Sequence, residues 1–356
     1  MISLTRLIIF SIISFLTSFL LFPVIIKIFK QLKWFEAPGI HKIHSDFVPS
    51  MGGVAILFGA SLALLMTLPF HQWILLKYFF ISVAIMFMIG LRDDVLALSP
   101  RQKLVSQFLP VFVMVFLDNL RLVSFYGLGS SDQFPVYVSY IISLFTVIII
   151  TNAYNLIDGI DGLAGTVGFL ALFFFGSWFY LIDQTFLSLI AWCFAGSLIA
   201  FLVFNWQPSK IFMGDTGALM VGLILSYFAI RFINFNFQLP SDHPAKFNAT
   251  IATAVCVLII PIFDTLRVII LRLRKWQSPF HADRNHIHHQ FLSLGLSHGG
   301  VVKWIAAINV SFVGLALVMR EQNDFVLIPI VVVICLVINF VLKWKQSRYA
   351  DSPKNA

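Results

Sequence analysis

At 356 residues the chain is long enough for two soluble domains. Its composition excludes them: 59% of residues are hydrophobic, 39 are Phe and only 11% are charged, where soluble domains carry about 25% charged residues. The mean hydropathy of +0.92 excludes a soluble enzyme and a disordered chain alike, and leaves a polytopic membrane protein. The net charge of +8 is no nucleic-acid footprint, because basic residues spread over loops orient helices in a bilayer. Cys193, Cys256 and Cys335 each sit in an apolar run without metal spacing, which predicts buried free thiols and no disulfide framework.

Apolar runs of spanning length follow one another along the chain. The first, Leu7 to Ile26 after Arg6, lacks a small-residue cleavage pattern and exceeds a signal-peptide core, so it reads as an uncleaved span. Others occupy 52–69, 76–91, 104–117, 135–151, 163–182, 185–204, 216–233, 249–271, 299–319 and 325–342. The expected fold is therefore all-α, with about eleven transmembrane helices in one domain over residues 1–349 and a short disordered tail over 350–356. Of the 24 Lys and Arg, only Arg6, Lys77, Arg121, Arg231, Lys246 and Arg320 fall on one side; the other eighteen fall on the opposite side. The positive-inside rule then puts the N-terminus outside and the C-terminus in the cytoplasm. The outer loops have turn composition, whereas the cytoplasmic ones hold nearly every Asp, His, Asn and Gly cluster.

Five cytoplasmic constellations carry chemistry. Pro38 to His44 and Pro49 to Gly53 combine Lys42 with a Gly52-Gly53 pair. They read either as positive-inside anchors with a tight helix entry or as a phosphate-facing loop. Asp93-Asp94 ends the third span and is followed by Leu98-Ser-Pro-Arg-Gln-Lys103. Adjacent carboxylates at a membrane edge repel and are costly to desolvate, which a divalent cation or the neighbouring Arg92, Arg101 and Lys103 would relieve. In Thr151 to Gly165, Asn152, Asn155, Asp158 and Asp161 recur every three residues, so a helix would bring them near one face. Such oxygen donors suit a hard cation. Asp215 stands between Gly214 and Thr216-Gly217 at the entrance of the eighth span, as a helix cap or a further ligand.

The fifth constellation follows the ninth span. From Asp283 the pattern is helical, with Ile287, Phe291 and Leu294 as an apolar stripe on the membrane interface and His286 and His289 on a shared face. With no Cys nearby, His286, His288 and His289 read as phosphate contacts beside Arg284 rather than zinc ligands. Upstream, Asp264 and Arg267 read as an i,i+3 structural ion pair.

Together Asp93-Asp94, Leu98 to Lys103, Asn152-Ala-Tyr-Asn-Leu-Ile-Asp-Gly-Ile-Asp-Gly162, Phe212-Met-Gly-Asp-Thr-Gly217 and His286-Ile-His-His289 resemble the polyprenyl-phosphate N-acetylhexosaminyl-1-phosphate transferase family. The resemblance runs over about residues 30–290 in order, and Ser278 to His289 looks like the undecaprenyl-phosphate GlcNAc-1-phosphate branch. The chain departs from the family pattern at Val95 to Leu98, which supply no further charge after the aspartate pair, and at His41 and Ser50-Met51.

The resemblance implies transfer of an N-acetylhexosamine-1-phosphate, most simply GlcNAc-1-phosphate, from a UDP-sugar to undecaprenyl phosphate. UMP is released, and Mg²⁺ is the cofactor with Mn²⁺ as a substitute. It implies an enzyme of the bacterial inner membrane that opens a cell-surface polysaccharide pathway; a homodimer is compatible with it. By similarity, Asp215 and Asn155 hold the metal, and Asp93, Asp94, His286 and His288 are catalytic. Lys42, Lys103, Asn152, Asp158, Asp161, Arg284 and His289 meet the substrates. The residues support that chemistry on their own, since phosphoryl transfer needs charge neutralisation and alignment more than covalent chemistry. A transporter of nucleotide-sugars or divalent cations is the competing reading; it would place polar groups near the bilayer midplane and show repeats.

Overall fold

The computed structural model describes residues 3–32, 48–128, 133–276 and 286–350, and its regular elements are all helical. They are α1 (Leu4–Leu32), α2 (Gly52–Leu65), α3 (Phe70–Leu75), α4 (Lys77–Val95) and α5 (Pro100–Phe112), which continues through a π-helical turn at Val113–Leu117. Then come α6 (Val136–Leu156), α7 (Leu163–Leu181), α8 (Thr185–Asn205), α9 (Gly214–Gln238), α10 (Thr250–Val257), α11 (Ile259–Arg274), α12 (Ile287–Leu292), α13 (His298–Val318) and α14 (Asp324–Ala350). Every expected apolar run is helical. Among the described residues, seven helices are long and apolar enough to cross a membrane, and α10 with α11 makes an eighth if that bent pair counts as one span. The chain is thus a polytopic, all-helical membrane protein. At 14 residues α2 is shorter than the usual span.

The ninth run differs from the straight helix expected over 249–271. It breaks at Leu258, and α10 and α11 meet at 88°. Pro261 is the cause: it has no N–H to give to the Val257 carbonyl four residues back, and its ring crowds that carbonyl. The freed Val257 carbonyl accepts from Asn309 Nδ2 on α13 at 3.2 Å, which satisfies it where water is scarce. Beyond the break α11 is two-faced. Leu266, Ile270 and Leu273 are exposed, while Asp264, Arg267, Val268 and Arg272 are buried.

Small residues let the other helices close up, as they must where no hydrophobic effect drives helix association. On α1, Ser14 Oγ lies 2.7 Å from Ser197 Oγ of α8, and Ser18 Oγ donates to the Ala55 carbonyl of α2 at 3.1 Å. The centre of the bundle is α9, whose residues from Thr216 to Ile230 are all buried. Its N-terminal turn meets α2 backbone to backbone: a Cβ on Gly53 would lie 2.3 Å from Gly217 N. Cys193, Cys256 and Cys335 are buried free thiols, as expected.

Polar side chains gather at two poles. At one, Arg231 Nη2 pairs with Asp118 Oδ2 at 2.7 Å, Trp178 Nε1 donates to the Ala245 carbonyl at 2.8 Å, and Asp324 Oδ1 accepts from Ala252 N at 2.6 Å. These bonds tie helix ends and loops of that pole together. The other pole holds Asp93, Lys103, Asn155, Asp161 and Asp215.

The Gly53–Gly217 approach gives a direct test. Gly53→Ala should destabilise the protein by about 1–3 kcal/mol, the cost of overpacking a tight contact, and lower the thermal midpoint in detergent. Gly314→Ala, in α13 with nothing within 4 Å of its Cβ, should leave the midpoint unchanged. Equal midpoints for both variants would contradict the packing described.

Candidate active site

The polar pole is organised by a carboxylate that crosses between helices. Asp94, at the end of α4, accepts from the backbone N–H groups of Asp215 and Thr216, each at 2.8 Å, and from the Thr216 hydroxyl. The first turn of α9 has no capping side chain of its own, so Asp94 supplies the acceptor its exposed N–H groups need. The carboxylate also sits favourably against the positive end of the helix dipole. Gly90, one turn earlier on α4, makes room: a Cβ there would lie 2.4 Å from the Asp215 carbonyl oxygen. Gly214 enters α9 at φ +71°, a conformation that glycine adopts without a Cβ penalty.

This cap fixes the start of α9, and with it the Asp215 side chain. Lys103 Nζ lies 2.5 Å from Asp215 Oδ1 and 3.1 Å from Asp93 Oδ2. Asn155 Nδ2 donates to the same Asp215 oxygen at 2.6 Å. Asp93 is buried and is held in place by the Leu98 N–H, which donates to Oδ1 at 2.7 Å. Lys103 is brought in by α5, whose start is a capping box in which Ser99 and Gln102 satisfy each other's backbone N–H groups. Four side chains from α4, α5, α6 and α9 therefore converge on one point: two carboxylates, an amide and one ammonium. Asp215 and Asn155, expected to share a metal, are here joined by a hydrogen bond. The two adjacent aspartates have separate tasks, Asp94 bound to backbone and Asp93 facing Lys103.

The asparagines and aspartates of the third motif do not share a helical face, because α6 ends at Leu156 and the chain turns. Asn152 is a clamp to α5, exchanging hydrogen bonds with Gln107 at 2.6 and 3.2 Å while also donating to the Ile148 carbonyl at 2.8 Å. Asp158 lies in the turn, its N–H on the Asn155 carbonyl at 3.2 Å. Asp161 stands 3.4 Å from His298 Nδ1 at the start of α13. Burial pushes its carboxyl upward, but His298 and Ser209 outweigh this and hold it below the usual carboxylate range. The N-cap of α7 is Gly162, not Asp161, and Gly162 N–H donates to Asn205 Oδ1 at 2.7 Å.

The histidine motif also differs from the reading of its pattern. Among the described residues helix begins only at Ile287, so His286 precedes it and does not share a face with His289. Instead the rings of His286 and His288 stack at 5.7 Å with 4° between planes, and His289 follows 4.3 Å from His288. His288 is buried against Gly159, where a Cβ would lie 2.6 Å from Nε2. The histidine motif thus packs on the Asp158-to-Asp161 turn. Burial pushes the His288 imidazole down to about 3, so the ring is neutral at pH 7. Asp264 does form the expected ion pair, Arg267 Nη2 to Oδ1 at 2.9 Å. It also binds His286 and the Ile287 N–H, contacts that no local spacing announces.

Lys42 and Arg284 lie outside the described residues. Of the first motif, Pro49 to Gly53 is described, and it packs on the Phe212–Gly217 turn: Phe212 N–H donates to the Pro49 carbonyl at 2.9 Å, and Gly52 N–H to the Phe212 carbonyl at 2.9 Å. The close backbone approach that Gly52 and Gly53 permit is therefore to the start of α9, the tight helix entry expected of the pair.

If Asp94 caps α9 as described, Asp94→Ala should lower stability by about 1–3 kcal/mol, the usual cost of orphaning buried hydrogen-bond partners. Asp215→Asn, which keeps its shape and leaves the cap intact, should melt close to the unaltered protein. Thermal unfolding in detergent measures both; an Asp94→Ala protein as stable as the original would overturn the capping role.

Comparison with known proteins bears on this arrangement. Residues 76–233 match the model of glycosyl transferase family 4, a stretch that carries Asp93, Asp94, Lys103, Asn155, Asp161 and Asp215. A probable undecaprenyl-phosphate N-acetylglucosaminyl 1-phosphate transferase of Bacillus subtilis is 27% identical over 94% of this chain and 91% of its own length. The undecaprenyl-phosphate alpha-N-acetylglucosaminyl 1-phosphate transferase of Escherichia coli K12 is 28% identical over 97% of this chain and 93% of its own. Its Yersinia pestis counterpart is 27% identical over 88% and 86%. The matched segment contains the converging carboxylates, lysine and amide, and over that segment the chain is similar to glycosyl transferase family 4.

Proposed function

We propose that the protein transfers GlcNAc-1-phosphate from UDP-GlcNAc to undecaprenyl phosphate and releases UMP, at the cytoplasmic face of a bacterial inner membrane. The observation that carries this reading is the convergence of Asp93, Lys103, Asn155 and Asp215 at one end of the bundle. A nucleotide-sugar is soluble and a long polyprenyl phosphate is not, so their phosphates can meet only at the membrane surface. The distribution of Lys and Arg supports an N-terminus outside, with this pole on the cytoplasmic side. Transport fits less well, since the length of α9 that crosses the middle of the bundle is packed with apolar side chains.

The oxygen donors at this pole suit Mg²⁺. Among the described residues no three His, Cys, Asp or Glu side chains form a ready metal cage. Mg²⁺ usually takes only one or two carboxylates and completes its shell with water and substrate phosphates. Asp215 would hold it with Asn155, whose amide donates to Asp215 here and would turn its oxygen to the ion. Bound there, Mg²⁺ would neutralise charge on the diphosphate.

The protein's own groups supply the rest. The Lys103 ammonium bridges two carboxylates; a cation between them would release it toward phosphate oxygens, where it acts as a point charge. Asp93, anchored by Leu98, would orient the acceptor phosphate. That phosphate has a second pKa of about 6 and is mostly a dianion in the cytoplasm, so it can attack directly, with no covalent enzyme intermediate.

Purified protein given UDP-GlcNAc and undecaprenyl phosphate should release UMP, lose the activity in EDTA and regain it with Mg²⁺ or Mn²⁺. Asp215→Asn should lower kcat on the order of 10²–10³-fold, as expected for an electrostatic group in a dry site. Omitting the lipid should abolish UMP release altogether. One equivalent of UMP released without lipid would instead establish a covalent, ping-pong scheme.

A further inference from the structure

Asp264 does more than pair with Arg267. It is buried in α11, just past the break at Leu258, and its two oxygens hold three groups. Oδ1 accepts from Arg267 Nη2 at 2.9 Å and from the backbone N–H of Ile287 at 2.8 Å; Oδ2 lies 2.8 Å from His286 Nδ1. Two of the three partners lie 22 and 23 residues away in sequence. The ion pair alone would be met by an aspartate anywhere on that helix face. Reaching His286 and Ile287 needs this carboxylate at the angle the break gives α11. The first turn of α12 has no cap from its own side chains, so Asp264 also fixes where the histidine motif begins.

The chemistry follows from the acceptor. A carboxylate held by Arg267 and a backbone N–H is ionised and only accepts, so the proton of the shared bond is on His286 Nδ1. That leaves Nε2 as the nitrogen free to act, the logic by which a carboxylate sets an imidazole's tautomer and orientation. The ring is fixed on its other side too, since it stacks on His288, which is wedged against Gly159.

We propose that Asp264 is the positioning residue of the histidine motif: by binding His286 Nδ1–H it presents Nε2 to a phosphate oxygen of the substrates. This rests on the transferase reading above. Where Nε2–H donates to the anion, Asp264 at Nδ1 balances the positive charge of the ring. Asp264 itself touches no substrate.

A double-mutant cycle on UMP release separates this from a structural role. Asp264→Asn should lower kcat at least tenfold with the KM for UDP-GlcNAc changed less than threefold. Adding Asp264→Asn to His286→Ala should then cost nothing further. Multiplied losses, or a His286→Ala protein with full activity, would overturn the proposal while leaving the transferase reading intact. Absence of UMP release from the unaltered protein would bring down both. Should Asp264→Asn fail to fold, ¹⁵N spectra of histidine-labelled protein decide the matter, the His286 signals being assigned by their loss in His286→Ala. A proton on Nδ1 is expected, and a proton on Nε2 with Nδ1 bare would refute the role.

Discussion

The polar pole depends on one carboxylate, that of Asp94, bound across a helix boundary to the first turn of α9. A buried helix start leaves N–H groups that nothing local satisfies. In α9 the need is acute because its opening residues, Gly214 to Gly217, carry only the Asp215 and Thr216 side chains, and neither caps the turn. Asp94 meets the need from α4 with three hydrogen bonds. The same contact frees Asp215 to point at Lys103, Asn155 and Asp93. A cap from Asp215 itself would have used up the group the site requires.

Asp264 repeats the device on a smaller scale. There too a buried aspartate from one helix receives the backbone N–H at the start of another, and there too the residue so placed belongs to a chemical motif. In both cases the capped element alone could not set its own position. At the opposite pole the buried Asp324 of α14 likewise receives the N–H groups of Ile251 and Ala252 in the first turn of α10, and Asp118 meets Arg231, but the turn capped there carries no Asp or Glu. The asymmetry of chemistry between the two ends was visible in the loops before any coordinates, because polar residues at a membrane edge are costly unless something uses them.

Much of this was legible in residue order, and what was not has physical causes. Apolar runs marked the long helices, because burial in a bilayer leaves a long continuous signal, whereas the six-residue α3 lies in a stretch that reads as a loop. The kink at Leu258 was also within reach, since Pro261 inside an apolar run removes one hydrogen bond and crowds another. The three-residue spacing of Asn152, Asn155, Asp158 and Asp161 misled, because it presumes a helix that in fact stops at Leu156. Gly52 and Gly53 were open to two readings: glycine permits close approach of any backbone, and here the partner is Phe212 to Gly217. The division of labour between Asp93 and Asp94, and the reach of Asp264 to His286, are tertiary facts. Adjacent carboxylates look alike in a sequence, and a contact over 22 residues leaves no periodicity.

The central claim is that Asp215, Asn155 and Asp93 frame the point where a divalent cation meets the substrate diphosphate. Anomalous diffraction from crystals of the protein with Mn²⁺ and UDP-GlcNAc tests it most directly. The account predicts one manganese peak at coordinating distance from Asp215, with the nucleotide's phosphates on its far side and Lys103 swung toward them. A well-ordered nucleotide-sugar whose manganese peak lies elsewhere, for instance among His286, His288 and His289, would contradict it.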